Sequence, residues 1–292
     1  MFWSAFYRIP RSVRFILFSA LGFSLMSAFV KLVYSYGIPV FEIVAGRAIV
    51  SLVISYADVK RKGISVWGTS KGWLLARGFI GTIALLCGYY AVSTLSLAEA
   101  TILQYINPVF IACISFFVLR ERLYFSTIVC IILCLVGLVV MVSPSLSSSI
   151  DGHVPLFSII IALIGALGSS VAYVIVKRLS NVEDSSVIIF YFPLIALPIS
   201  GVLMLHTFVW PSFKVIVLMV LVGIFTQMGQ VGMTKAMQSE SASKASAYSY
   251  IQIVFAIFLG WAMFGNIPTL WTVIGGILII GGAILNLIGR HR

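Results

Sequence analysis

Ten runs of about 20 predominantly apolar residues, each long enough to cross a bilayer as a helix, follow one another from residue 13 to residue 289. They are read as 13–34, 40–58, 73–94, 97–118, 124–143, 155–176, 186–206, 213–234, 245–264 and 269–289. The longest interruptions, residues 58–71 and 144–155, leave no room for a soluble domain between runs. Composition agrees. Hydrophobic residues make up 61% of the 292 and charged residues 9%, against roughly 45–50% and 25% in soluble domains. Decads of alternating apolar and polar residues, the mark of a membrane β-barrel, do not occur. The expected fold class is all-α integral membrane, with the lipid bilayer as its solvent and ten transmembrane helices.

The formal charge of +11 does not point to nucleic acid, because the basic residues sit in short clusters between apolar runs, as in cytoplasmic loops. Arg8, Arg11, Arg14, Lys60, Arg61, Lys62, Lys71, Arg120, Arg122, Lys177, Arg178, Lys235, Lys244, Arg290 and Arg292 fall on one side; Lys31 and Lys214 fall on the other. Both termini are therefore expected in the cytoplasm, and the short loops suit a bacterial inner (plasma) membrane. The first run follows a basic start but has no small-residue cleavage site, so it reads as the first span rather than a signal peptide. Cys87, Cys113, Cys130 and Cys134 all lie inside apolar runs. With no His or carboxylate nearby they read as small buried hydrophobes, not as a metal site.

The chain repeats itself. ALGFSLMSAFVK (20–31) matches ALGSSVAYVIVK (166–177), and YINPVF (105–110) matches YIQIVF (250–255), in the same order and at nearly one offset. Two five-helix halves are expected, residues 1–150 and 151–292. Five is odd, so the second half enters the membrane inverted, a design of secondary transporters.

The fourth run opens with Glu99 and carries Gln104, Asn107 and Pro108. Lipid gives such groups no hydrogen bonds, and each unpaired one costs several kcal/mol. Ala100, Gln104, Asn107, Ile111 and Ser115 share a helix face, and Ala245, Ser249, Gln252, Ala256 and Gly260 repeat it in the ninth run. The matched stripes are expected either to wall a central cavity or to bond helix to helix. Pro108 removes a backbone donor and kinks its helix; Pro193 and Pro198 are expected to interrupt the seventh run. Gln227, Gln230 and Thr234 share a face of the eighth run, and Tyr90 and Tyr248 are further candidate substrate contacts. In the tenth run Gly275 and Gly282 offer a small face to a neighbour in the same chain or in a second one; monomer and homodimer both fit.

Arg47 lies about 10 Å into the second span at 1.5 Å per residue. A mid-helix Arg costs about 2.5–3.5 kcal/mol on insertion scales. Its compensation is Glu99, an anionic group on a small-molecule substrate, or snorkelling to the headgroups. Arg77, nearer the other surface, reads as snorkelling. Glu42 and Glu99 are the acidic residues placed to pair with Arg47 or to carry a coupling proton or ion.

The stretch SLAEATILQYINPVFIACISFFVLRERL followed by GLVVMVSP, with its second copy YIQIVFAIFLGWAMFGNIPTLWTVIGGILIIGGAIL, resembles the EamA-like ten-helix branch of the drug/metabolite transporter superfamily. That resemblance implies spans one to four and six to nine around a central cavity, with spans five and ten at the periphery. It also implies secondary carriage of amino acids, other small metabolites, sugar nucleotides or drugs, often as export. Glu121 matches a glutamate the family carries after its fourth span. Asn266 replaces it in the second copy, and Ile253 stands opposite Pro108. A brace supplied by Glu121 would then be missing from the second half.

No phosphate-binding loop is present, so a transporter of this sequence runs on a gradient, moving a metabolite (an amino acid, a nucleotide-type or a related solute) by alternating access. A membrane enzyme would need clustered nucleophiles, metal ligands or paired acids, and His153, His206 and His291 lie in loops, at a span end and at the terminus. No catalytic residue, metal or cofactor is expected, and the chain reads as a carrier and not an enzyme. A receptor or scaffold is the other class, and it would not need matched polar stripes.

Overall fold

A computed structural model describes residues 11–95, 103–147, 156–265 and 267–288. Glu99, Asn266, Arg8, Arg290, Arg292, His153 and His291 lie outside the described residues. The described residues form helices and no strands. In chain order these are α1 (Arg11–Tyr34), α2 (Val40–Arg61), α3 (Lys71–Thr94), α4 (Asn107–Val118), α5 (Phe125–Ser147), α6 (Leu156–Leu179), α7 (Ser185–Met204), α8 (Phe213–Ser239), α9 (Ala242–Tyr248), α10 (Ile251–Phe264) and α11 (Leu270–Ile288). Among the described residues nine segments, counting Ala242–Phe264 as one, are long and apolar enough to cross a membrane. The protein is an integral, multi-pass membrane protein of ten helical spans in two inverted five-helix repeats.

The fourth span is the short one. Its described helix is the 12-residue Asn107–Val118, preceded by a turn at Tyr105 and Ile106. Pro108 sits at the start of α4, where its missing N–H costs least. The ninth span breaks at the repeat-related place, Ser249 and Tyr250, without any proline. The two tyrosines that flank these breaks are 145 residues apart and stack at 6.0 Å, and the Tyr250 hydroxyl donates to the Tyr105 carbonyl at 2.8 Å. That bond occupies a carbonyl the turn has released from helical pairing. Pro193 and Pro198, by contrast, do not interrupt their span: α7 runs through both.

The residues gather into two compact units, and each draws on both sequence halves. Of the described residues, one holds those within 1–79 and 176–241; the other holds those within 80–175 and 242–292. In the first unit α1 lies against α8. A Cβ on Gly22 would come within 2.7 Å of the Gly229 nitrogen, one on Gly232 within 2.6 Å of the Phe15 carbonyl, and the Ser19 hydroxyl donates to the Gly229 carbonyl at 2.7 Å. In the second unit the same crossing is made by α6 and α3, where Gly168 faces Ala84 and Gly165 faces Cys87. Between apolar helices in lipid there is no hydrophobic drive to associate, so such close approach supplies the attraction through dispersion and hydrogen bonds.

The tenth-span glycines find their neighbour within the chain. A Cβ on Gly137 of α5 would meet the Gly275 carbonyl of α11 at 2.7 Å, and one on Gly282 would meet the Cys130 carbonyl at 3.2 Å. Cys130 and Cys134 are fully buried in this crossing, their sulfurs 3.9 Å apart, each facing a backbone carbonyl. Thr127 bonds the buried Asn286 across the same pair of helices at 3.0 Å.

Candidate functional site

In the first unit three helices each turn one face into a small, partly open cleft with a free volume of about 10 Å³, room for about one water. α2 contributes Arg47, Ala48 and Ser51; α8 contributes Thr226, Gln227 and Gln230. The spacings of one, three and four residues are those of a single helix face. The opposite wall is apolar: Ile189, Phe192, Pro193 and Ala196 of α7. Pro193 has no N–H to give the Ile189 carbonyl, so α7 loses one helical bond beside the cleft. Two glycines let α2 and α8 close on each other here. A Cβ on Gly223 would lie 2.7 Å from Val50 Cγ1, and one on Gly46 would strike Met219.

Arg47 is buried at 6% exposure. Its one polar partner among the described residues is the thioether sulfur of Met26, to which Nη1 donates at 3.5 Å. A thioether is a weak acceptor and cannot neutralise a guanidinium. Gln227, 7% exposed, donates from Nε2 to the Ser55 hydroxyl at 2.8 Å, while its Oε1 is buried without a donor. Arg77 is not at the surface. It is 4% exposed, its guanidinium lies over the Phe192 ring at 4.8 Å, and Nη2 donates to Gln230 Oε1 at 3.4 Å. The expectation that it snorkels is overturned: α3 carries it inward, where a cation–π contact and an amide replace water.

Described carboxylates are engaged elsewhere. Glu42, buried at 3% exposure, accepts the Val209 N–H at 3.1 Å through Oε2, and its Oε1 has no partner. Glu121 accepts the Ala242 N–H at the start of α9 through both oxygens, at 2.9 and 3.1 Å. Glu183 accepts the backbone N–H groups of Thr69 and Ser70, each at 2.6 Å, and the Thr69 hydroxyl at 2.7 Å, closing the start of α3. Lys62 bridges Asp184 at 2.7 Å and Asp58 at 3.4 Å, and Ser186 donates its hydroxyl to Asp58. Partial burial works against the charge on Lys62, Glu183 and Asp184. The partners win: Lys62 is held above its ordinary value, and Glu183 and Asp184 below theirs.

The other sequence candidates lie in the second unit and do not line this cleft. Gln104 is exposed; Asn107 is half-buried, with its Oδ1 and its carbonyl both accepting from the Ser170 hydroxyl at 2.9 and 3.1 Å. Tyr248 is buried, Gln252 half-buried, and Tyr90 is exposed and edge-on to Phe157. Of the sequence candidates, Arg47, Gln227 and Gln230 line this cleft; Ser51 and the apolar wall, and Arg77 behind Gln230, were not among them. The signal for Arg77 was there: a charge four residues inside the 73–94 apolar run raises the same question as Arg47. Among the described residues no group of three or more His, Cys, Asp or Glu side chains converges.

The sequence matches the EamA-like transporter family twice, over residues 11–143 and 156–288. It is 30% identical over 259 residues to the pseudopaline exporter CntI of Pseudomonas aeruginosa, covering 88% of this chain and 89% of that protein. It is 27% identical over 282 residues to solute carrier family 35 member G1 of Homo sapiens, covering 90% and 75%. A solved crystal structure with 21% sequence identity superposes with a TM-score of 0.79, covering 94% of this chain and 98% of that one, which shows a shared fold.

Proposed function

Because this chain belongs to the EamA-like transporter family and is a membrane transporter, we propose that it is a secondary carrier moving a small metabolite by alternating access. The observation that carries the reading is the cleft lined by Arg47, Gln227 and Gln230, which brings together a buried cation held by a thioether and a buried amide acceptor with no donor. Its walls come from both repeats, α2 from the first and α7 and α8 from the second. Tyr90, Gln104, Asn107, Tyr248 and Gln252 are retained as candidate contacts on the sequence argument. Glu42, with one oxygen unpartnered, is the candidate for proton or ion coupling, together with Glu99.

The carrier acts in a bacterial inner membrane, with both termini cytoplasmic and the chain built of repeats 1–150 and 151–292, as a monomer or a homodimer. Purified protein in liposomes, loaded with amino acids, hydroxy acids, nucleosides and nucleotides with and without a pH gradient, tests this. Solute-specific flux above that of empty liposomes is expected. Binding or chemical turnover with no flux would remove the carrier reading.

A further inference from the structure

The cleft holds more information than its position. We propose that it selects a small, net-anionic solute bearing a hydroxyl beside its carboxylate. This rests on the reading that solute docks there, and it narrows the solute class. Arg47 brings a buried positive charge whose sole described partner is a thioether, and an uncompensated buried charge is strongly unfavourable. A planar guanidinium presents paired donors that match a carboxylate. Arg77 adds a second cation one residue away, through Gln230. With Gln230 Oε1 held by Arg77, the Gln230 amide nitrogen is left to donate as well.

Gln227 Oε1 asks for the opposite: a donor. The acceptor and the cation line one cleft, so a fitting solute carries anion and donor close together. Hydroxy and amino acids both do. An ammonium, however, would sit beside the Arg47 guanidinium, with that of Arg77 behind Gln230 and no described carboxylate in the cleft wall to pair it, whereas a hydroxyl donates without adding charge. The α7 wall of Ile189, Phe192, Pro193 and Ala196 is apolar, the side against which a short apolar tail would lie once the cleft widens to admit solute.

The full-length protein in detergent is titrated with α-hydroxyisocaproate, isocaproate, leucine, leucinamide and inorganic phosphate, reading the thermal midpoint and affinity. Flux of the same probes is measured in liposomes. α-Hydroxyisocaproate should bind at least about tenfold more tightly than isocaproate or leucine, a factor worth about 1.4 kcal/mol. Gln227→Met should bring it down to the affinity of isocaproate, and Arg47→Met should abolish both. Gln227→Leu serves as the second variant if Gln227→Met does not fold. Equal or tighter binding of leucine, leucinamide or phosphate, no response to any probe, or a hydroxyl preference that survives both Gln227 variants overturns the proposal. Flux of neutral or cationic solutes with no response to hydroxy acids defeats this inference and leaves the carrier intact. Binding of the hydroxy acid with no flux of any solute defeats the carrier reading alone.

Discussion

Replacing Arg47 by methionine separates a residue kept for solute from one kept for the fold. Burying a guanidinium costs about 2.5–3.5 kcal/mol on membrane-insertion scales, and the visible return is one weak contact to Met26. Methionine has similar reach and flexibility, no charge, and packs against thioether and aliphatic neighbours. Arg47→Met is therefore expected to leave stability unchanged or raise it by up to about 2 kcal/mol, while transport of anionic solutes falls at least about tenfold. The pattern is that of a functional residue held at the expense of stability. Thermal unfolding of the purified protein and initial rates in liposomes, at matched protein incorporation, measure both quantities. A loss of 2 kcal/mol or more in stability, or transport of anions at the original rate, would refute the reasoning. The first outcome would make Arg47 a structural member of the bundle; the second would take it out of the path.

Gly22→Val should destabilise by about 1–3 kcal/mol, since its Cβ would press on the Gly229 backbone nitrogen. Gly168→Val, where the nearest atom is the Ala84 Cβ at 3.2 Å, should cost less, and Gly88→Ala, with open space around it, should be silent; thermal midpoints rank the three. Tyr250→Phe removes the donor to the Tyr105 carbonyl and should cost about 1 kcal/mol, with faster amide exchange around residues 105 to 109. Glu121→Ala leaves the first N–H of α9 without its acceptor and should cost about 0.5–2 kcal/mol in thermal unfolding. Stability against pH should hold a plateau from about pH 5 to pH 10. Glu183 and Asp184, depressed from 4.5 and 3.8, contribute above those values and lose their contribution as pH falls through the lowered ones. Lys62, raised from 10.5, contributes below that value and loses it as pH climbs past the raised one. Glu183→Gln should flatten the acid limb of a pH–midpoint curve.

The spans were legible because bilayer thickness imposes a length on apolar runs, and the repeat because its two copies keep register. Arg47, Gln227 and Gln230 stood out for the same reason: lipid would reject them. What stayed hidden was pairing between distant elements. Nothing local in α1 says that Gly22 will meet Gly229 and not the next helix along. Arg77 was misplaced because its distance from the span end suits both a snorkelling chain and a buried one, and the deciding partners, Phe192 and Gln230, are over a hundred residues away. The break at Ser249 and Tyr250 had no proline to announce it, and the continuity of α7 through two prolines shows that packing can hold a helix against that signal.

The α1–α8 crossing also sets a timetable. Ser19 and the Gly229 carbonyl it bonds are separated by 210 residues, so at about 5–20 residues per second of synthesis the first helix waits roughly 10–40 seconds for its mate. Through that interval its glycine-lined flank has only lipid, insertion machinery or another nascent chain to lean on. A ribosome stalled anywhere before α8 emerges would leave behind an orphan whose stickiest surface is the one meant to be hidden.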